Sequence, residues 1–194
     1  MGEVAHQIAS DEWGEDRLSF IAGIAGLCHN ADRVIQKQLN VGRRDVPRES
    51  VVASVTAWLQ DCRIVAAPTI VEIVLGHDGR NSPQDSKALI ALMDADRVVN
   101  LDADLFIRSA QHYHDIVAVD YYHFLDDPSA TYRDPKSVLR DIAYSLEWAD
   151  PASPVCVRTR LGRKMAQERA RVFRTFIEAL QGQLTGEGVF PFTL

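Results

Sequence analysis

The sequence is poor in cysteine and lacks any CxxC pair. Its three cysteines, Cys28, Cys62 and Cys156, are odd in number and widely spaced. This spacing indicates neither a disulfide framework nor a zinc knuckle. Such cysteine usage fits a reducing compartment, and we expect a cytoplasmic protein.

Long apolar runs are also missing. The longest, residues 20–28, is far shorter than the roughly 20 residues that a membrane-spanning helix needs. The first residues are acidic and lack the basic and then apolar pattern of an export signal. We therefore expect neither export nor membrane insertion.

The chain lacks an excess of positive charge. Its formal net charge is -6, whereas phosphate-rich partners call for a basic surface. We expect no general nucleic-acid binding and no membrane-surface binding. The net charge does not exclude a small basic pocket. The balance of apolar and charged residues is that of an ordinary globular protein. With 194 residues available for one core, we predict a single domain over residues 1–194.

The alternation of apolar and polar residues that is typical of β-strands is nowhere sustained. Apolar residues recur instead at helical spacing, which predicts an all-α fold. Residues 16–30 are predicted to form a mostly apolar, buried helix. On it Ser19, Gly23 and Gly26 make a narrow strip that another backbone approaches closely. Further helices are predicted over residues 49–60, 68–76, 85–100, 104–113, within 135–147, and over 157–184, with a linker at 150–154.

Asp96 is the most informative residue of the helix predicted over 85–100. It shares the apolar face with Leu89 and Met93, whereas Asp94 points away from that face. A carboxylate placed there needs a cation, a metal or hydrogen bonds to compensate its charge. Two interpretations of Asp96 carry equal weight. In one it forms a buried ion pair with an arginine or histidine, and in the other it binds a metal or a ligand. Because His29 and His77 each end a helix, three helix regions could bring polar groups to one place.

Three segments, in order, resemble the motifs of the HD-domain phosphohydrolases. Residues 25–30, AGLCHN, resemble the end-of-helix histidine–aspartate motif that names the family. Residues 70–77, IVEIVLGH, resemble the helix that brings in the next histidine. Residues 93–98, MDADRV, resemble the closing segment. The likeness runs from about residue 16 to residue 100 and implies an HD-domain-like helical bundle.

The resemblance implies a phosphohydrolase that acts on a phosphate ester, with nucleotides among the candidates, and that uses a divalent metal such as Mn, Fe, Mg or Zn. It implies His29, Asn30 and Asp96 at the metal. It gives His77 and Asp96 the catalytic roles, and His77, Arg97 and Arg169 the binding of a small phosphorylated molecule. Asn30 stands where the family has aspartate. Because a neutral amide attracts a divalent cation less than a carboxylate does, we expect the metal to be weakly bound or absent. His6 is the nearest candidate for the first-helix histidine of the family.

Asn30 also favours an alternative function. In this alternative the chain is a catalytically inactive HD-like protein that binds an anionic small molecule or a protein partner. A second metal site is a further hypothesis for the stretch that contains His112, His114 and His123. His112 and His114 fall on different sides of a helix. We therefore favour a partly exposed loop or helix end for them.

Overall fold

The computed structural model describes residues 1–42 and 45–187, and it is mostly helical, with 64% helix. Within these ranges there is no β-strand, which confirms the all-α prediction. None of the described helices is both long and apolar enough to cross a membrane. The helices are α1 (Gly2–Trp13), α2 (Asp16–Cys28), α3 (Ala31–Leu39), α4 (Arg48–Asp61), α5 (Ala67–Gly76), α6 (Lys87–Val99), α7 (Leu105–His112), α8 (Val138–Tyr144), a 3-10 helix (Ser145–Ala149) and α9 (Arg160–Gly186).

The chain forms two compact units. Unit 1 consists of Met1–Asp96 and Arg158–Gly162, and unit 2 consists of Arg97–Val157 with the described residues from Arg163 onward. Helices α6 and α9 contribute residues to both units. The single domain over residues 1–194 stays a prediction.

In unit 1, α1 and α2 pack with their backbones in close approach. A Cβ atom added at Gly26 would lie 2.8 Å from the Cα of Gly2, and one added at Gly2 would lie 2.8 Å from the carbonyl oxygen of Gly23. No side chain fits between backbones at such distances. The predicted close approach of another backbone is therefore confirmed at Gly23 and Gly26, and α1 is the element that approaches them.

The buried residues of α2 are small, and this corrects the expectation of a buried helix for two of its large apolar residues. Leu27 is 74% exposed and Phe20 is 47% exposed. The buried residues are Ser19, Ala22, Ala25, Gly26 and Cys28. Because α1 approaches α2 so closely, the side that packs against it has room only for small side chains.

Gly26→Ala is expected to destabilise the protein by about 1–3 kcal/mol, because the added methyl group meets backbone rather than a side chain that can move. Gly182 provides the matched control. It lies within α9 and a Cβ atom there would meet nothing within 4 Å. Gly182→Ala should therefore stabilise by roughly 0.5–1 kcal/mol, as alanine does in an open helix. Urea unfolding of both variants measures the two changes, and equal midpoints would contradict the close approach.

The structure reverses the expected roles of the two aspartates of α6. Asp94 is fully buried, whereas the side chain of Asp96 is 25% exposed. The Oδ2 atom of Asp94 accepts hydrogen bonds from the backbone N–H groups of Arg158, at 2.9 Å, and Thr159, at 2.7 Å. The prediction that Asp94 points away from the buried face is wrong. The spacing of apolar residues identifies only one buried face of α6. A second face, which contains Asp94, is buried by Arg158 and Thr159, the residues that precede α9.

Unit 2 has its own apolar core around α7, α8 and α9. Its first cluster is Leu105, Val138, Ile142 and Phe173, and Phe173 stacks on Phe106 with ring centroids 4.8 Å apart. A second cluster joins Phe124 and Leu139 to Ile177 and Leu184 of α9. The arginine-rich helix predicted over 157–184 thus buries one side.

Candidate metal centre

Two histidines stand immediately after helices of unit 1, His29 after α2 and His77 after α5. The last carbonyl groups of a helix have no partner within the helix. The Nδ1–H of His29 donates to the Gly26 carbonyl at 2.8 Å, and the Nδ1–H of His77 donates to the Val74 carbonyl at 2.6 Å. Because a carbonyl only accepts, each Nδ1 carries the proton. Each neutral ring then has a lone pair on Nε2, the form that binds a metal.

The two imidazoles and two carboxylates lie close together. The Nε2 atom of His77 is 3.4 Å from Oδ1 of Asp78, and Nε2 of His29 is 4.0 Å from Oδ1 of Asp96. The two rings meet edge to face with centroids 5.7 Å apart. His77, Asp78 and Asp96 each offer one ligand atom, and these atoms lie within 4.8 Å of one another. The structure therefore brings together three of the residues selected from sequence, His29, His77 and Asp96.

This donor set fits a divalent cation. A neutral Nε2 lone pair that faces a carboxylate oxygen is unfavourable unless a proton or a cation lies between them. Two ligands held about 2.1 Å from one metal at an angle near a right angle are roughly 3 Å apart, close to the His77–Asp78 separation. Mixed imidazole and carboxylate donors suit Mn, Fe and Zn. His77, Asp78 and Asp96 could thus hold a metal ion.

Asp78 is the residue of this cluster that the sequence interpretation missed. Its side chain is 61% exposed and follows His77 directly. His77 and Asp78 thus form an adjacent histidine–aspartate pair at a helix end, the arrangement that we sought at His29 and Asn30. The signal in the sequence is the dipeptide itself, which directly follows the helix predicted over 68–76.

Asn30 is exposed and directly precedes α3, and its backbone carbonyl accepts from the N–H of Arg33 at 3.0 Å. Its role as a metal ligand stays a prediction. His6 is exposed on α1, and its Cβ would be 3.3 Å from a Cβ added at Gly23. The structure therefore places His6 at the contact of α1 with α2.

Arg97 and Arg169 both bind backbone groups of unit 2. Arg97 is 6% exposed, and its Nη1 donates to the carbonyl of Cys156 at 3.3 Å. Nη1 of Arg169 donates to the Val98 carbonyl at 2.6 Å and pairs with Asp102 at 3.1 Å. A cation on the last carbonyls of α6 is favourable because that helix end carries partial negative charge. The described contacts of both side chains are thus structural, and their binding of a phosphorylated ligand stays a prediction.

Burial sets the electrostatics of His29. Its pKa is lowered chiefly because burial disfavours the imidazolium, and the Gly26 carbonyl and Asp96 oppose this only in part. Metal ligation and proton acceptance both need a neutral imidazole. His29 is therefore in the form that this chemistry requires at neutral pH.

Among the described residues, His112, His114 and His123 do not come together in one metal-binding group. His112 ends α7 and is exposed, as we favoured, and His114 is exposed in the turn that follows. His123 donates from Nδ1 to Oδ2 of Asp120 at 2.9 Å, and together with Asp127 these residues form the other histidine–aspartate group of the described residues. The hydrogen bond to Asp120 raises the pKa of His123.

Comparison with known proteins yields no match to this chain, whether with family models, curated proteins or solved structures. The resemblance to HD domains therefore stays a prediction from the three sequence motifs.

Proposed function

We propose that the protein is an HD-like phosphohydrolase that holds a divalent metal with His77, Asp78 and Asp96 and cleaves a small phosphate ester. The observation that supports this most strongly is the convergence of two helix-end imidazoles and two carboxylates in unit 1. Such a mixture of nitrogen and oxygen donors at short separations is typical of metal-dependent hydrolases. A nucleotide is one candidate substrate.

The residues have distinct roles in this proposal. The divalent cation, when bound, polarises a phosphoryl oxygen and lowers the pKa of a water. His77 is held by the Val74 carbonyl, which fixes the direction of its ring. His29 lies beside the metal ligands with its Nε2 accessible to a proton. Because its pKa is lowered, it can accept a proton from the attacking water and then pass it to the departing alkoxide.

Asp78 favours the active enzyme over the inactive alternative. That alternative depended on the loss of a carboxylate at Asn30. A carboxylate follows His77 directly, so the cluster offers two carboxylates, those of Asp78 and Asp96, as candidate ligands. Two carboxylates attract a divalent cation far more than one carboxylate and one amide do.

The direct test is metal binding and hydrolysis by the purified protein. After treatment with a chelator and its removal, calorimetric titration with Mn²⁺ should show about one site per chain. Hydrolysis of p-nitrophenyl phosphate should appear with the metal and vanish with the chelator. Asp96→Asn should lose both, whereas Asp11→Asn, in α1 and ion-paired to Arg160, should keep both. Binding of Mn²⁺ without hydrolysis of this ester or of nucleoside monophosphates would reject the enzymatic part of the proposal.

A further inference from the structure

Unit 2 contains an open cleft that no part of the proposed reaction uses. Its volume is ≈ 420 Å³, and it is lined by residues of α8, the 3-10 helix and α9 and by the turn that follows the 3-10 helix. Sites for small molecules fall mostly between about 300 and 1,000 Å³. The cleft is therefore large enough for a metabolite.

Arg140 of α8 provides the first charge of the cleft. Its guanidinium carbon lies 4.4 Å from the centroid of the Tyr144 ring. Its Nε–H is buried and has no hydrogen-bond acceptor. A guanidinium that stacks on a ring through its face keeps its edge N–H groups for a planar or tetrahedral anion. Stacking on Tyr144 thus holds Arg140 in position without neutralising it.

Arg174 of α9 provides the second charge. Among the residues that the structure describes, neither Arg174 nor Arg140 forms an ion pair with a carboxylate. Arg108 and Arg160 behave differently, since Arg108 pairs with Asp104 and Arg160 pairs with Asp11. An anion seated between two guanidiniums that form no ion pair is attracted by both.

The remaining polar groups of the cleft limit what can bind. Glu147 and Asp150 also line it, and Oδ1 of Asp150 accepts from the backbone N–H of Ala152 at 3.0 Å. Gln167 donates its amide N–H to the Ala149 carbonyl, so its own carbonyl oxygen is left to accept. Two carboxylates disfavour a ligand with several anionic groups. They and the Gln167 oxygen suit a ligand whose other groups donate hydrogen bonds.

We propose that this cleft binds a small molecule with one anionic group, a carboxylate or a phosphate monoester, seated between Arg140 and Arg174 with its body against Tyr144. Both anions have the oxygen pairs or triads that a guanidinium edge recognises. The site lies within unit 2, whereas the metal cluster lies within unit 1. It therefore does not depend on the proposed hydrolysis.

Titration calorimetry with benzoate and with phenyl phosphate tests the proposal, with chelator present throughout so that no metal can hold the phosphate. We expect saturable binding of at least one probe at one site per chain. Arg174→Ala and Arg140→Ala should each weaken it about tenfold or more, as loss of a charged hydrogen-bonding partner does. Asp96→Asn should leave it unchanged, which separates this site from the metal cluster.

Arg171→Ala is the matched control, because Arg171 is exposed on the same helix and does not line the cleft. It should bind as the parent does, and Arg174→Lys should bind with intermediate affinity. Thermal melts show whether each variant is folded. If Arg140→Ala does not fold, the binding affinity of Arg174→Ala decides the outcome. Absence of binding of both probes to the parent, or equal weakening by Arg171→Ala and Arg174→Ala, would overturn the proposal. The tighter probe identifies the preferred anion.

Discussion

Asp94→Ala should lower the free energy of unfolding by roughly 3–5 kcal/mol, because it removes two hydrogen bonds to a charged acceptor, each worth about 1.5–3 kcal/mol. The carboxylate is fully buried and accepts from the N–H groups of Arg158 and Thr159. These two residues directly precede α9. Removal of the carboxylate leaves buried donors unsatisfied at a helix N-terminus, where negative charge is favourable.

Two substitutions sharpen this prediction. Asp94→Asn keeps one acceptor oxygen and the side-chain volume, so its cost should be smaller, about 1–3 kcal/mol. Asp96→Asn, two residues along the same helix, removes a partly exposed carboxylate and should change the stability by less than about 1 kcal/mol when no metal is present. Urea unfolding in chelator gives all three values. The prediction fails if Asp96→Asn costs more than Asp94→Ala.

The helices that could be predicted from sequence are those with large apolar residues at helical spacing. Helices α2 and α4 to α9 are of this kind. The sequence interpretation missed α1 and α3, and the reason is physical. Helix α1 buries mainly small residues, Ala5 and Ala9 beside Ile8, and α3 buries only Ala31 and Ile35. Helices that pack through small residues leave little trace in an apolar pattern.

The candidate site could be predicted only in part. His29 and His77 were found because a polar residue that ends an apolar helix stands out in the pattern. Asp94 could not be placed correctly, because its partners are backbone groups 64 and 65 residues away in the chain. Apolar spacing contains no information about such donors. Asp78 was overlooked because it follows the helix end and is exposed.

Asp78→Asn should lower the Mn²⁺ affinity by on the order of 100-fold or more. Loss of groups that only support metal ligands already costs about 10–100-fold, and Asp78 offers an oxygen to the cluster directly. Replacing a carboxylate by an amide also removes one negative charge from a site that attracts a divalent cation. Hydrolysis of p-nitrophenyl phosphate at a fixed low Mn²⁺ concentration should fall in parallel and recover in part at high concentration.

The Asp78→Asn/Asn30→Asp double variant decides which residue supplies the paired carboxylate of the histidine–aspartate motif. Asn30 is exposed at the start of α3, so we expect the added carboxylate at residue 30 not to recover Mn²⁺ affinity. Asn30→Asp alone should bind Mn²⁺ as the parent does. Calorimetric titrations of the parent, both single variants and the double variant measure this directly. Recovery to within a few-fold of the parent would place residue 30 at the metal and reassign the motif to His29 and its neighbour.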